Sequence, residues 1–235
     1  MTYTHAFDAF AAADLAAVAF LLVSVWGIGW RIDREGARRP SVTVLMMRYR
    51  REWMTEMLTR DPRVFDASII GILRQSTAFF ASTSVIAIGG VLALIGNAER
   101  IDMVATELGE RNSGTLVWQI KLALVAALLT SGFLRFVWSS RLYGYCAVVM
   151  AAAPNDPAAP NAPIRASQAA EINIRAASNF NRGLRYMYFA LAALAWLVGP
   201  AALGAATAVT LWVIWSREFA SKPHTILDLP PDATP

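Results

Sequence analysis

The sequence predicts an all-α integral membrane protein: four long transmembrane helices in an antiparallel bundle, with cytoplasmic helical extensions and an interfacial amphipathic helix. Three observations predict it. Of the 235 residues, 56% are hydrophobic and 16% are charged, whereas a soluble domain carries about 45–50% apolar and about 25% charged residues. Four stretches stay apolar over the roughly 20 residues that a bilayer crossing needs. None shows the short-segment alternation of a membrane β-barrel. The composition excludes disorder, a coiled coil and an ordinary soluble enzyme.

The first span is expected over 9–30. No basic segment precedes it, its first charges are Asp8 and Asp14, and no small-residue cleavage site follows. It therefore reads as a retained helix and not as a signal peptide. After it, Ser41 can cap a helix over 42–59. Val42, Met46, Tyr49, Trp53 and Met57 form an apolar stripe at helical spacing. A basic amphipathic helix of this kind suits either the membrane surface or the side of a helical bundle.

Asp61-Pro62 reads as a cap followed by proline at a first helical position. A helix from there to Gly96 is roughly 52 Å long at 1.5 Å per residue, against a hydrocarbon core of about 30 Å. The second span is placed over 75–96, so the earlier turns project from the membrane. The third span, 115–136, continues in the same way to about Met150. Prolines 154, 157, 160 and 163 make 151–164 an extended linker. The segment from Ala166 to Tyr186 is helical in composition and too polar to cross, and the fourth span follows over 188–215. The tail, 221–235, reads as irregular. All of this forms one membrane domain, 1–235.

Charge sets the orientation. Ten arginines lie between the first two spans, from Arg31 to Arg74, and six more lie from Arg135 to Arg185. The loop between the second and third spans carries Glu99, Asp102, Glu107 and Glu110 against two arginines. Basic loops stay in the cytoplasm, so both termini are expected in the periplasm of a bacterial inner membrane. Trp26, Trp30 and Trp138 then mark the inner interface, and Trp118, Trp212 and Trp215 the outer one. Arginines placed by topology argue against nucleic acid as a partner.

The sequence holds no HExxH, G-x-S-x-G, phosphate-binding loop or dinucleotide fingerprint. One cysteine and two histidines are too few for a His/Cys metal cluster. The expectation is no enzyme, no cofactor and no metal. Four features remain. Asp14 and Lys121 fall at similar depth and read as an intramembrane pair or the lining of a vestibule, unless Lys121 snorkels outward. Ser76, Thr77, Ser82, Thr83 and Ser84 form a polar stripe, or simply interhelical hydrogen bonds. Arg74, Arg135, Arg141, Asn179, Asn181, Arg182 and Arg185 gather near the inner mouth, where anionic lipid headgroups are natural ligands. Plain topology and snorkelling also account for them. Gly199 and Pro200 should kink the fourth helix, over a small-residue face suited to close packing.

Several runs together resemble a bacterial and plant family of membrane proteins known as domain of unknown function five-nine-nine. They are RQSTAFFASTSVIAIGG at 74–90, FVWSSRLYGYCAVVMAAAP at 136–154, NFNRGLRYMYFALAALAWLVGP at 179–200, SREF at 216–219 and REWMTEMLTRDPRVFD at 51–66. The resemblance runs from about Phe10 to Phe219. It implies a four-span membrane protein and brings no activity. The small-residue face and missing catalytic chemistry point to assembly, as a homo-oligomer or an accessory subunit of a membrane complex. An oligomeric channel or small-solute transporter is the alternative.

Overall fold

The computed structural model describes residues 12–107 and 114–229. Every regular element among them is helical. In chain order these are α1 (Ala12–Asp33), α2 (Val42–Glu56), α3 (Val64–Gly96), α4 (Ala98–Glu107), α5 (Thr115–Ala151), α6 (Ala162–Leu194), α7 (Pro200–Phe219) and α8 (Lys222–Leu227), with 3-10 turns at Met57–Thr59 and Ala195–Leu197. Among the described residues three helices, α1, α3 and α5, are long and apolar enough to cross a membrane. The long α3 and α5 match the extended helices expected beyond the second and third spans.

The chain forms two compact units. The first holds the described residues up to Ile28, those of Thr83–Gly132, and Leu184–Val213. The second holds Gly29–Ser82, Phe133–Gly183 and the described residues from Ile214 onward. Both arginine-rich segments fall largely in the second unit, and the described acidic residues Glu99, Asp102 and Glu107 fall in the first.

The expected fourth span is not one helix. The helix α6 ends at Leu194, tightens into a 3-10 turn, and breaks at Gly199. Gly199 has φ +149°, a conformation that a residue with Cβ rarely adopts. Pro200 then starts α7, where its missing N–H has no intrahelical duty. The break is a reversal, because α6 and α7 come together in the second unit. Asn181 on α6 and Glu218 on α7 both hydrogen-bond Thr43. A single straight helix would hold those two residues about 55 Å apart.

Further contacts come with this hairpin. The C-terminal segment packs where α1 ends: Arg39 donates to the Phe219 carbonyl at 2.5 Å, and His224 Nε2 lies 2.9 Å from the Pro40 carbonyl oxygen. That oxygen only accepts, so the ring donates. The described end of the chain therefore shares a unit with the arginine-rich segment 31–74. Trp215 belongs to the same unit. Its ring packs on Phe219 at 4.6 Å between centroids, and the Arg31 guanidinium lies 5.8 Å from it.

The helix α2 forms as expected and is capped as expected. Ser41 Oγ accepts from the Val44 N–H at 3.2 Å. The same hydroxyl donates to the Ile32 carbonyl at 2.7 Å, so it also satisfies an orphan acceptor at the end of α1. The buried face is Thr43, Met47, Met54 and Met57, one residue round from the expected stripe. Met54 and Met57 join Tyr143, Cys146 and Met150 of α5 and the alanines 162, 166, 169 and 170 of α6 in one core. The bundle-side reading of α2 is therefore the observed one. The alanine face of α6 leaves room for these larger partners.

The proline linker is not extended. Ala153 is buried in the same core. Arg63 donates to the Ala153 carbonyl at 2.9 Å and to the Pro154 carbonyl at 2.5 Å. The expected irregular tail also contains order. Ser221 caps the short helix α8 by accepting from the His224 N–H. Residues 230–235 of that tail lie outside the described residues.

Candidate functional site

The second unit is organised around one stretch of α6, Asn179-Phe180-Asn181-Arg182-Gly183. Asn179 bonds back to the Arg175 carbonyl of its own helix at 2.9 Å, and the next four residues reach other helices. Phe180 packs against Phe80 of α3 and Phe136 of α5, with centroids 5.5 and 5.6 Å away. Asn181 donates to the Thr43 hydroxyl of α2 at 3.3 Å. Arg182 pairs with Asp33 at the end of α1 at 2.8 Å. Gly183 lies under the Phe136 ring, where an added Cβ would stand 2.6 Å from a ring carbon. The glycine is needed here for close approach. Four consecutive residues, Phe180 to Gly183, can serve four helices because 100° per residue points them around the whole circumference.

A polar network runs alongside. Arg50 lies on the inward face of α2 between Met47 and Met54, and donates to Asn173 Oδ1. Asn173 is fully buried, and its amide reaches Cys146 Sγ at 3.8 Å. Cys146 in turn donates to the Ala169 carbonyl at 3.4 Å. A buried amide needs such partners, since an unsatisfied one costs about 1–3 kcal/mol. Glu218 accepts from both the Thr43 N–H and the Thr43 hydroxyl. It thereby serves an orphan N–H in the first turn of α2.

Two cavities flank this network. One, of about 280 Å³, is lined by Thr43, Arg50, Asn181 and Glu218. The other, of about 350 Å³, opens between Asp33, Glu35, Trp138, Arg175 and Arg182. Met47, Ile174 and Ser178 line both and form the wall between them. Their linings offer guanidinium, carboxylate, amide and hydroxyl groups, suited to holding a polar ligand. Among the described residues no three His, Cys, Asp or Glu side chains converge as a metal site would require.

The expected site residues are distributed as follows. Asp14 and Lys121 are brought to one indole: Trp196 Nε1 donates to Asp14 at 2.7 Å, and the Lys121 ammonium lies 5.8 Å from the Trp196 ring centroid and 5.1 Å from that of Trp118. The hydroxyl stripe divides. Thr77 and Ser84 are buried, and Ser76, Ser82 and Thr83 are exposed. Thr77 bonds back to the Leu73 carbonyl and Ser84 reaches Met187. Of the residues assigned to the inner mouth, Asn179 and Arg182 line the larger of the two cavities and Asn181 the smaller. Arg74 and Arg141 are exposed on α3 and α5, Arg135 is half-buried on α5, and Arg185 is buried on α6.

Thr43, Arg50, Asn173, Trp196 and Glu218 were not anticipated. A signal existed for Arg50, because its spacing from Met47 and Met54 puts all three on one helical face. Glu218 and Trp196 had no such signal, since their partners are distant in sequence.

A family model described as "Protein of unknown function, DUF599" matches residues 16–223. No curated protein matches the chain, and no solved structure does.

Proposed function

This chain belongs to the DUF599 family, and we propose that it is a multi-pass inner-membrane protein that works by assembly and not by catalysis, as a homo-oligomer or an accessory subunit of a membrane complex. In this reading α1, α3, α5 and the α6–α7 hairpin enter the bilayer. The start of α1 faces the periplasm, and the arginine-rich segments and C-terminal tail face the cytoplasm.

The observation that carries it is the unused face of α3. Only 11% of the most apolar window of α3 is buried, against 33% for α5. The exposed side includes Ile72, Phe79 and Ile86 together with Gly71, Ser82, Gly89 and Gly90. A Cβ added at any of those three glycines would meet nothing within 4 Å. Glycine inside a helix costs roughly 1 kcal/mol relative to alanine, and the packing of this chain does not repay that cost. Small residues on a membrane helix let a second helix approach closely.

The test is the mass of the purified chain in lipid nanodiscs, with disulfide trapping from Ser82→Cys in a Cys146→Ser background. Assembly gives a multimer or a co-purifying subunit, and the double change Gly89→Leu, Gly90→Leu disperses it. A monomer that traps no partner would sink the proposal. Solute flux in liposomes would instead favour the channel reading.

A further inference from the structure

The 350 Å³ cavity of the second unit carries both signs of charge. Asp33, Glu35 and Glu171 line it together with Arg175 and Arg182. Three of these are committed: Asp33 pairs with Arg182 at 2.8 Å, and Glu171 pairs with Arg51 at 2.9 Å. The Glu35 carboxylate and the Arg175 guanidinium engage no partner among the described residues. The site therefore keeps one free acceptor group and one free donor fork, with Trp138 as an apolar wall.

An anion alone would satisfy Arg175 and face an acidic majority, three carboxylates to two guanidiniums. A cation alone would leave Arg175 unmatched. A phosphate joined to an amine matches both. Guanidinium grips phosphate in a bidentate fork, and a carboxylate accepts the N–H donors of a primary ammonium. A quaternary amine has no such donors and binds best within a cage of several rings. Here the lining offers one indole. The volume lies within the roughly 300–1,000 Å³ of small-ligand sites. Asp33 and Glu35 come directly after the apolar run of α1, at the depth of headgroups if α1 spans.

From this juxtaposition we infer that the cavity binds a phosphoethanolamine group, supplied by a membrane lipid, with Arg175 on the phosphate and Glu35 on the ammonium. The lipid source rests on the membrane reading proposed above, and the headgroup chemistry does not.

The test is native mass spectrometry of the full chain released from micelles doped equally with phosphatidylethanolamine, phosphatidylglycerol and phosphatidylcholine. The expected result is preferential retention of the ethanolamine lipid. Arg175→Ala and Glu35→Gln each lower its retention about tenfold, as loss of one charge-assisted bond implies. Arg165→Ala, in the first turn of α6 and outside the cavity lining, leaves it unchanged. Equal or better retention of the glycerol lipid overturns the inference, and so does retention that ignores both variants. Soluble glycerophosphoethanolamine is titrated in parallel. If it binds with the same residue dependence while the lipid does not, the lipid source is overturned and the headgroup chemistry stands. The same spectra report subunit number, so failure of assembly is read separately.

Discussion

Glu218, at the end of α7, accepts two hydrogen bonds from Thr43, at the start of α2, each at 3.0 Å. The partners are 175 residues apart. One is the backbone N–H and the other the hydroxyl of the same residue, so the carboxylate grips it with both oxygens. This contact ties the returning helix to the segment that follows α1, and it completes the first turn of α2.

Glu218→Ala should therefore destabilise the chain by about 1–3 kcal/mol, because the Thr43 N–H loses a charged acceptor in a half-buried position. Glu218→Gln keeps one acceptor and should lose less. Thermal unfolding in detergent gives the ranking. If Ala and Gln behave alike and both match the native chain, the contact is incidental.

Gly183 makes a sharper test of packing. Its Cα faces the Phe136 ring, and the new methyl of Gly183→Ala would overlap that ring at 2.6–2.9 Å. Overpacking of this kind costs about 1–3 kcal/mol, although alanine is the better helix former by up to 1 kcal/mol. The net expectation is destabilisation, relieved when Phe136→Leu is combined with it. A stabilised Gly183→Ala variant would mean that the ring has somewhere to move.

Topology is testable without purification. The hairpin at Gly199-Pro200 and the contacts of Phe219 and His224 with the 39–40 region place the C-terminal tail with the arginine-rich segment. A reporter fused to the C-terminus should read cytoplasmic, and a cysteine placed in the loop between α3 and α5 should be labelled from outside. A periplasmic C-terminal reporter would restore four spans and remove the hairpin.

The sequence alone determined the class of protein and most of its helices. Hydropathy and length located α1, α3 and α5, since crossing a bilayer demands a run that composition reveals directly. Capping chemistry placed the start of α2 at Ser41, because that bond is local. The grouping of both arginine-rich segments was also legible, as charge asymmetry is a property of the loops themselves. Only the tertiary structure decided the end of the chain. The run from Tyr188 to Trp215 is apolar enough for one span, and nothing in its composition distinguishes a kink from a reversal at Gly199. The reversal is held by Thr43, Arg39 and Pro40, more than 150 residues away. It moved Trp215 to Arg31 and Glu218 to Thr43. Local rules see neighbours within a few turns, and those partners are adjacent only in the folded chain.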